Sequence, residues 1–266
     1  MGILNVTPDS FADGGRYTTV ERAVAHARRL IAEGADLIDV GGESTRPGAE
    51  PVAAAEESAR VVPVVVALRA ETVLPISVDT TKAEVAAASL AAGADMVNDV
   101  SGGRFDPAML PLVAARGAAV VLMHMQGTPA TMQQAPAYGD VVAEVAAFLS
   151  ERAAAARSAG VDSARIWIDP GIGFGKRLEH NLALLVHIER LAALGFPVLV
   201  GASRKAFLGE LSGDSVDGRL AASLAAAVLA VAHGARAVRV HDVAATRRAL
   251  AVADAARQAD TMLGRR

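Results

Sequence analysis

The sequence predicts an α/β fold: a (β/α)8 TIM barrel, one domain over residues 1–266. Three observations lead there. Eight short apolar runs recur along the chain, with Ala-rich stretches of helical periodicity between them. Six of the runs follow a glycine placed where a helix needs a left-handed C-terminal residue. All eight runs end in polar or charged side chains, and in such barrels the carboxyl ends of the strands carry the chemistry. A doubly wound open sheet has the same element order and differs in lacking closure.

The first run, Gly2 to Val6, carries Asn5 near its end. A helical stretch from Val20 to Ala32 reaches Gly34, and Leu37-Ile38-Asp39-Val40 follows. Val52 to Arg69 reads as the next helix, and Ile76-Ser77-Val78 is the third run, closed by Asp79. Gly93 precedes Met96-Val97-Asn98, which ends at Asn98 and Asp99. Gly117 precedes Ala119 to Met123, with His124 behind it. The helix from Asp140 to Ala159 reaches Gly160 and leads to Ile166-Trp167-Ile168, stopped by Asp169. Gly195 precedes Val198-Leu199-Val200 and then Ser203-Arg204-Lys205. Gly234 precedes Ala237 to Val240, where Arg239, His241 and Asp242 stand. Connections after strands are the long ones: 7–18, 41–51, 126–139 and 203–215. Long loops on a rigid scaffold are where binding residues collect.

Composition narrows the function. A net charge of −3 points away from a nucleic-acid partner. The absence of cysteine excludes disulfides and thiolate-held metals and fits a reducing compartment. The longest low-polarity run, Leu220 to Ala232, is too short to span a bilayer, and the N-terminus lacks signal-peptide character. The expectation is a cytoplasmic chain without a membrane partner. Of 26 basic residues only Lys82, Lys176 and Lys205 are lysines, so each is a candidate for a place where an ammonium group matters, with chance as the alternative.

Two groups of strand-end residues suggest ligands. Arg46, Arg204, Arg239 and His241 suit a phosphate or pyrophosphate, whose oxygens match the guanidinium fork, with a salt bridge on the barrel rim as the alternative for any one of the arginines. Asp79, Asn98 and Asp169 suit a neutral planar ring with N–H donors, since Asp79 and Asp169 lack cationic neighbours in sequence. A polar layer joined to itself and to water is the alternative for this second group. Mg²⁺ held mainly by substrate phosphates is compatible with oxygen ligands such as Asn5 and Asp13. Gly171 to Lys176 lacks P-loop spacing, and Arg177 stands where Ser or Thr would follow. Lys205 could form a Schiff base, as in barrel aldolases.

A series of motifs runs through the chain in one order, beginning with Gly2-Ile3-Leu4-Asn5-Val6-Thr7-Pro8-Asp9-Ser10-Phe11 with Asp13-Gly14-Gly15, and Gly42-Glu43-Ser44-Thr45-Arg46-Pro47-Gly48. Ser77-Val78-Asp79-Thr80, Asn98-Asp99-Val100 and Leu122-Met123-His124-Met125 follow. The last are Asp169-Pro170-Gly171 with Gly173-Phe174-Gly175-Lys176, Ser203-Arg204-Lys205 and Arg239-Val240-His241-Asp242-Val243. Together these motifs resemble the dihydropteroate synthase family. The resemblance implies a homodimeric barrel transferase of folate synthesis. Its substrates would be 6-hydroxymethyl-7,8-dihydropterin pyrophosphate and 4-aminobenzoate, and its metal Mg²⁺. It implies that Asp79, Asn98, Asp169 and Lys205 hold the pterin, and that Asn5 ligates Mg²⁺. Arg46, Arg239 and His241 would hold the pyrophosphate. The first loop (Phe11, Asp13) and the second (Thr45, Pro47) would close over the aminobenzoate, while Ser203 and Arg204 complete the substrate-binding set. The implied catalytic residues are Asp13, Arg46, Lys205, Arg239 and His241. Ala206 departs from the polar or basic residue expected after Lys205, leaving the aminobenzoate carboxylate to backbone groups there.

Overall fold

The computed structural model describes residues 1–7, 16–45 and 48–262. Phe11, Asp13, Arg46 and Pro47 lie outside the described residues. The elements run β1 (Gly2–Asn5), α1 (Arg16–Ala32), β2 (Ile38–Gly41), α2 (Ala54–Arg69), β3 (Ile76–Asp79) and α3 (Ala83–Ala91). Next are β4 (Met96–Asp99), α4 (Met109–Arg116), β5 (Ala119–Met123), α5 (Val141–Ser158) and β6 (Ile166–Asp169). The chain continues with α6 (Leu178–Val186), α7 (Ile188–Ala192), β7 (Leu199–Val200), α8 (Ala206–Ser212), α9 (Leu220–Ala232), β8 (Ala237–Val238) and α10 (Val243–Met262).

Strands β1 to β6 pair in sequence order, all parallel, and β7 pairs with β8. Two parallel bridges complete the ring: Ile168 with Val198, and Gly2 with Val240. Ile3 N donates to Val240 O at 3.0 Å and Val240 N to Met1 O at 2.9 Å. The sheet therefore closes, and the open-sheet alternative falls. Two predicted runs shrink, since β7 and β8 have two residues each. The connection over 203–215 contains α8, and the link from β6 to β7 carries two helices that break at His187.

Register decides which residues face the barrel interior. Leu4, Val40, Val78, Val97, Val120 and Ile166 lie side by side across β1 to β6. All are buried in the main core with the helices. Side chains alternate along a strand, so their neighbours point the other way. Asn5, Gly41, Asp79 and Asn98 form the adjacent inward row. Met96, two residues before Asn98, packs with Val121, Leu199 and Trp167 and fills the barrel. Asp99 has the opposite parity. Its carboxylate accepts from Ser101 N (2.7 Å) and Gly103 N (3.1 Å), which makes it a turn-forming residue.

The six glycines at Gly34, Gly93, Gly117, Gly160, Gly195 and Gly234 all have positive φ, from 59° to 111°. The left-handed helix ends read from the sequence are present at every one. No helix among the described residues is long and apolar enough to cross a membrane.

Candidate active site

Arg239 is the centre of one half of the site. Its Nε donates to Asp39 Oδ2 at 2.6 Å and its Nη2 to Asp79 Oδ2 at 2.8 Å. Asn98 Nδ2 donates to the same Asp39 oxygen at 3.1 Å. Asp79 thus has a cationic neighbour in space, supplied from 160 residues away, and Arg239 spends part of its fork on these carboxylates. Asp39, to which the sequence reading gave no role, is fully buried, and its Oδ1 finds no partner among the described residues. The signal was present: Asp39 is an acid at an inward position of an apolar run.

Two carboxylates around one guanidinium leave a buried excess of negative charge. Burial pushes Asp79 up to about 7, against the pull of Arg239. Desolvation opposes the charge of half-buried Arg239, but Asp39 and Asp79 raise it and it stays protonated, so proton uptake here goes to Asp79. The folded chain then holds the Asp79 proton more tightly than the unfolded one. That contribution to stability is present at acid pH and is lost as pH rises through about 7. Asp79→Asn cannot titrate. Relative to wild type it should gain about 1.4 kcal/mol for each pH unit climbed between the unfolded and folded values. Urea unfolding of both proteins at several pH values checks this, and parallel profiles would refute it.

The other half is built on the turn after β6. Asp169 Oδ1 accepts from Gly171 N at 2.7 Å; burial raises its pKa while Lys205 lowers it. Lys205 is half-buried, and desolvation brings it down to about 8 despite Asp169. Its Nζ donates to Ile172 O and lies 4.4 Å from the centre of the Phe174 ring. Phe174 was missed from the sequence, where its flanking glycines drew attention to phosphate loops instead. Gly171, Gly173 and Gly175 all have positive φ. A Cβ on Gly171 would come within 1.9 Å of His124 O, and one on Gly173 within 2.9 Å of Lys205 Cδ. The glycines bring the turn against β5 on one side and Lys205 on the other.

Lys176 closes that turn from behind. Its buried Nζ donates to Phe174 O at 3.0 Å and lies 3.0 Å from His124 Nδ1. Burial lowers its pKa well below the ordinary value, and burial with the Lys176 charge brings His124 down to about 2. His124 is a neutral packing residue, edge-on to Phe148 at 4.9 Å.

The last two strand ends separate their cations. Ser203 Oγ lies 3.0 Å from His241 Nδ1, which joins those two residues at the rim. Arg204 has φ 58°, and its Nε and Nη2 engage Asp242 at 3.0 and 2.6 Å. Its fork is thus occupied by a rim carboxylate, contrary to its expected place in the anion group. Thr45 is half-buried in the second connection. Asn5 Oδ1 and Asp79 Oδ2 each lie 3.8 Å from where Gly41 would carry a Cβ, so they flank one opening. Among the described residues no three His, Cys, Asp or Glu side chains form a metal cage.

Residues 1–241 match the profile of the pterin-binding enzymes. The chain belongs to that family. It is 49% identical to the dihydropteroate synthase of Synechocystis, over 96% of this chain and 89% of the relative. The dihydropteroate synthase of Xanthomonas albilineans solved with 4-aminobenzoic acid is 56% identical, with a TM-score of 0.91 over 97% of this chain and 92% of that one. The same organism's enzyme in complex with 7,8-dihydropteroate is 53% identical, with a TM-score of 0.87 and the same coverage. This pterin-binding enzyme is accordingly a transferase of the dihydropteroate synthase type, which belongs to folate biosynthesis.

Proposed function

We propose that the chain joins 6-hydroxymethyl-7,8-dihydropterin pyrophosphate to 4-aminobenzoate, giving 7,8-dihydropteroate and pyrophosphate. The observation that carries this reading is the inward row Asn5, Asp79 and Asn98, with Asp169 at the end of β6 and Lys205 held against the turn that follows it. Asp79 and Asp169 accept N–H groups of the pterin, Asn98 offers a donor and an acceptor, and Lys205 lies along the ring. Arg239 borders both regions: it steadies Asp79 and has further N–H groups to offer the pyrophosphate, with His241 and Arg46. Ser203 orients His241. Arg204 acts one step away by fixing the backbone between Ser203 and Lys205.

The route is dissociative. The C–O bond to the pterin methylene breaks, and its electron pair leaves with pyrophosphate. Positive charge develops on the methylene, where Asp13 offers a carboxylate. The amine of 4-aminobenzoate forms the new C–N bond and then releases a proton. The first loop (Phe11, Asp13) and the second (Thr45, Pro47) exclude water over the aminobenzoate. The oxygen of Asn5 suits Mg²⁺, which would supply positive charge to offset the leaving group. A homodimer through α6, α8 and α9 is supported by the exposed Leu182, Val186, Leu211, Leu220 and Leu229. The compartment is the cytoplasm.

Purified protein with the pterin pyrophosphate, 4-aminobenzoate and Mg²⁺ should release pyrophosphate and form dihydropteroate; silence on both counts refutes the assignment. A covalent adduct trapped on Lys205 would replace the dissociative route. Asp169→Asn exchanges one acceptor for a donor facing the pterin. Calorimetry should show pterin affinity falling about a hundredfold. A loss of about 3 kcal/mol in folding stability with affinity unchanged would make Asp169 structural instead.

A further inference from the structure

The rarest cation type also occurs at Lys82, which the proposed reaction does not use. Lys82 precedes α3, three residues beyond Asp79. Its Nζ donates to Glu57 Oε2 at 2.6 Å and to Glu43 Oε2 at 2.9 Å. Burial works against the ammonium, but the hydrogen bonds to Glu57 and Glu43 outweigh it and keep Lys82 above its ordinary pKa. The two carboxylates are unequal. Glu57 lies on α2 and is fully buried, so it cannot move away. Glu43 lies in the second connection, where its Oε1 also accepts from Val52 N at 2.6 Å.

The same root is held at further points. Arg60 Nη1 donates to Gly42 O at 2.8 Å. A Cβ on Gly42 would come within 2.7 Å of Val61 and 3.0 Å of Glu57 Cγ, so this glycine lets the loop base lie flat on α2. At the other end of the loop Gly48 N reaches Pro129 O at 3.4 Å, near the limit of a hydrogen bond. Among the described residues of this loop, the shorter hydrogen bonds lie at the Glu43 end, two residues before Thr45.

We propose that Lys82 and Glu43 are positioning residues that set the second loop for 4-aminobenzoate, a role that rests on the function proposed above. Without the ammonium, Glu43 faces a fixed buried carboxylate of like charge. Glu43, half-buried where Glu57 is fully buried, is the one that shifts, and the loop root shifts with it. The pterin end of the site has its own framework in Arg239 and the turn after β6, and is left in place.

Glu43→Gln separates this from a packing role, because its amide oxygen still accepts from Val52 N and Lys82 keeps Glu57. Steady-state kinetics on Glu43→Gln and Lys82→Met should show KM for 4-aminobenzoate raised about tenfold, the scale of a displaced substrate-positioning group. Affinity for 6-hydroxymethylpterin, which lacks the pyrophosphate, should stay within about twofold by calorimetry. Lys82→Arg, which keeps the charge, should restore the wild-type KM. If Lys82→Met fails to fold, Glu43→Gln decides. An active wild type with an unchanged KM in Glu43→Gln overturns the clamp alone, and so does a parallel loss of pterin affinity. A wild-type chain that forms no dihydropteroate overturns the function and the clamp with it.

Discussion

Arg239→Met is expected to remove nearly all activity and to destabilise the fold by about 3–5 kcal/mol, the range for breaking a buried ion pair from one side. The guanidinium holds Asp39 at 2.6 Å and Asp79 at 2.8 Å, and both carboxylates are buried. Methionine replaces most of the volume but leaves the two buried acids, Asp39 and Asp79, without their cation. The loss should therefore be electrostatic more than steric. Adding Asp79→Asn to Arg239→Met should recover part of the stability at neutral pH but none of the activity. Denaturant unfolding of the two single variants and the double variant gives the coupling directly. Additive losses would mean that Arg239 and Asp79 are not partners.

Gly171→Ala is the second large effect. The new Cβ would come within 1.9 Å of His124 O, a backbone atom that cannot rotate away, at φ +66°. Gly171 also donates to Asp169 Oδ1 and accepts from Phe174 N at 3.0 Å, so relief would break the turn that carries Phe174 and faces Lys205. Gly117→Ala is the control, with φ +59° and nothing within 4 Å of the added atom. The control carries the backbone penalty alone, about 1 kcal/mol. Gly171→Ala should lose about 3 kcal/mol or more, with pterin binding lost as well. Equal losses at the two positions would show that the close approach to His124 does not matter.

The features legible in the sequence are those with local causes. Each helix-end glycine stands a few residues from the strand that it precedes, and each has the expected left-handed backbone. Asp79, Asn98 and Asp169 could be placed because alternation along a short strand is fixed by the chain itself. Closure was not legible, because Gly2 and Val240 meet only in three dimensions. The same holds for cations. Arg204 and Arg239 both follow an apolar run, yet one pairs at the rim with Asp242 and the other inside with Asp39, 200 residues away. The left-handed backbone of Arg204 sets its direction, and arginine gives no sequence warning of such a backbone. Lys176 lies near Phe174 in sequence, but its contact with His124 spans 52 residues.

The way the ring closes has a consequence for synthesis. Asp79 emerges from the ribosome 160 residues before Arg239 does, an interval of roughly 8 to 30 s at ordinary elongation rates. Throughout that interval the acids of β2 and β3 lack their guanidinium. The growing sheet also lacks β8, the strand that must join β1. Closing the last seam and neutralising the buried acids are therefore the same late event. A nascent chain arrested before Val240 carries most of the strands and helices but an open edge and an uncompensated charge, the kind of intermediate that calls for a chaperone.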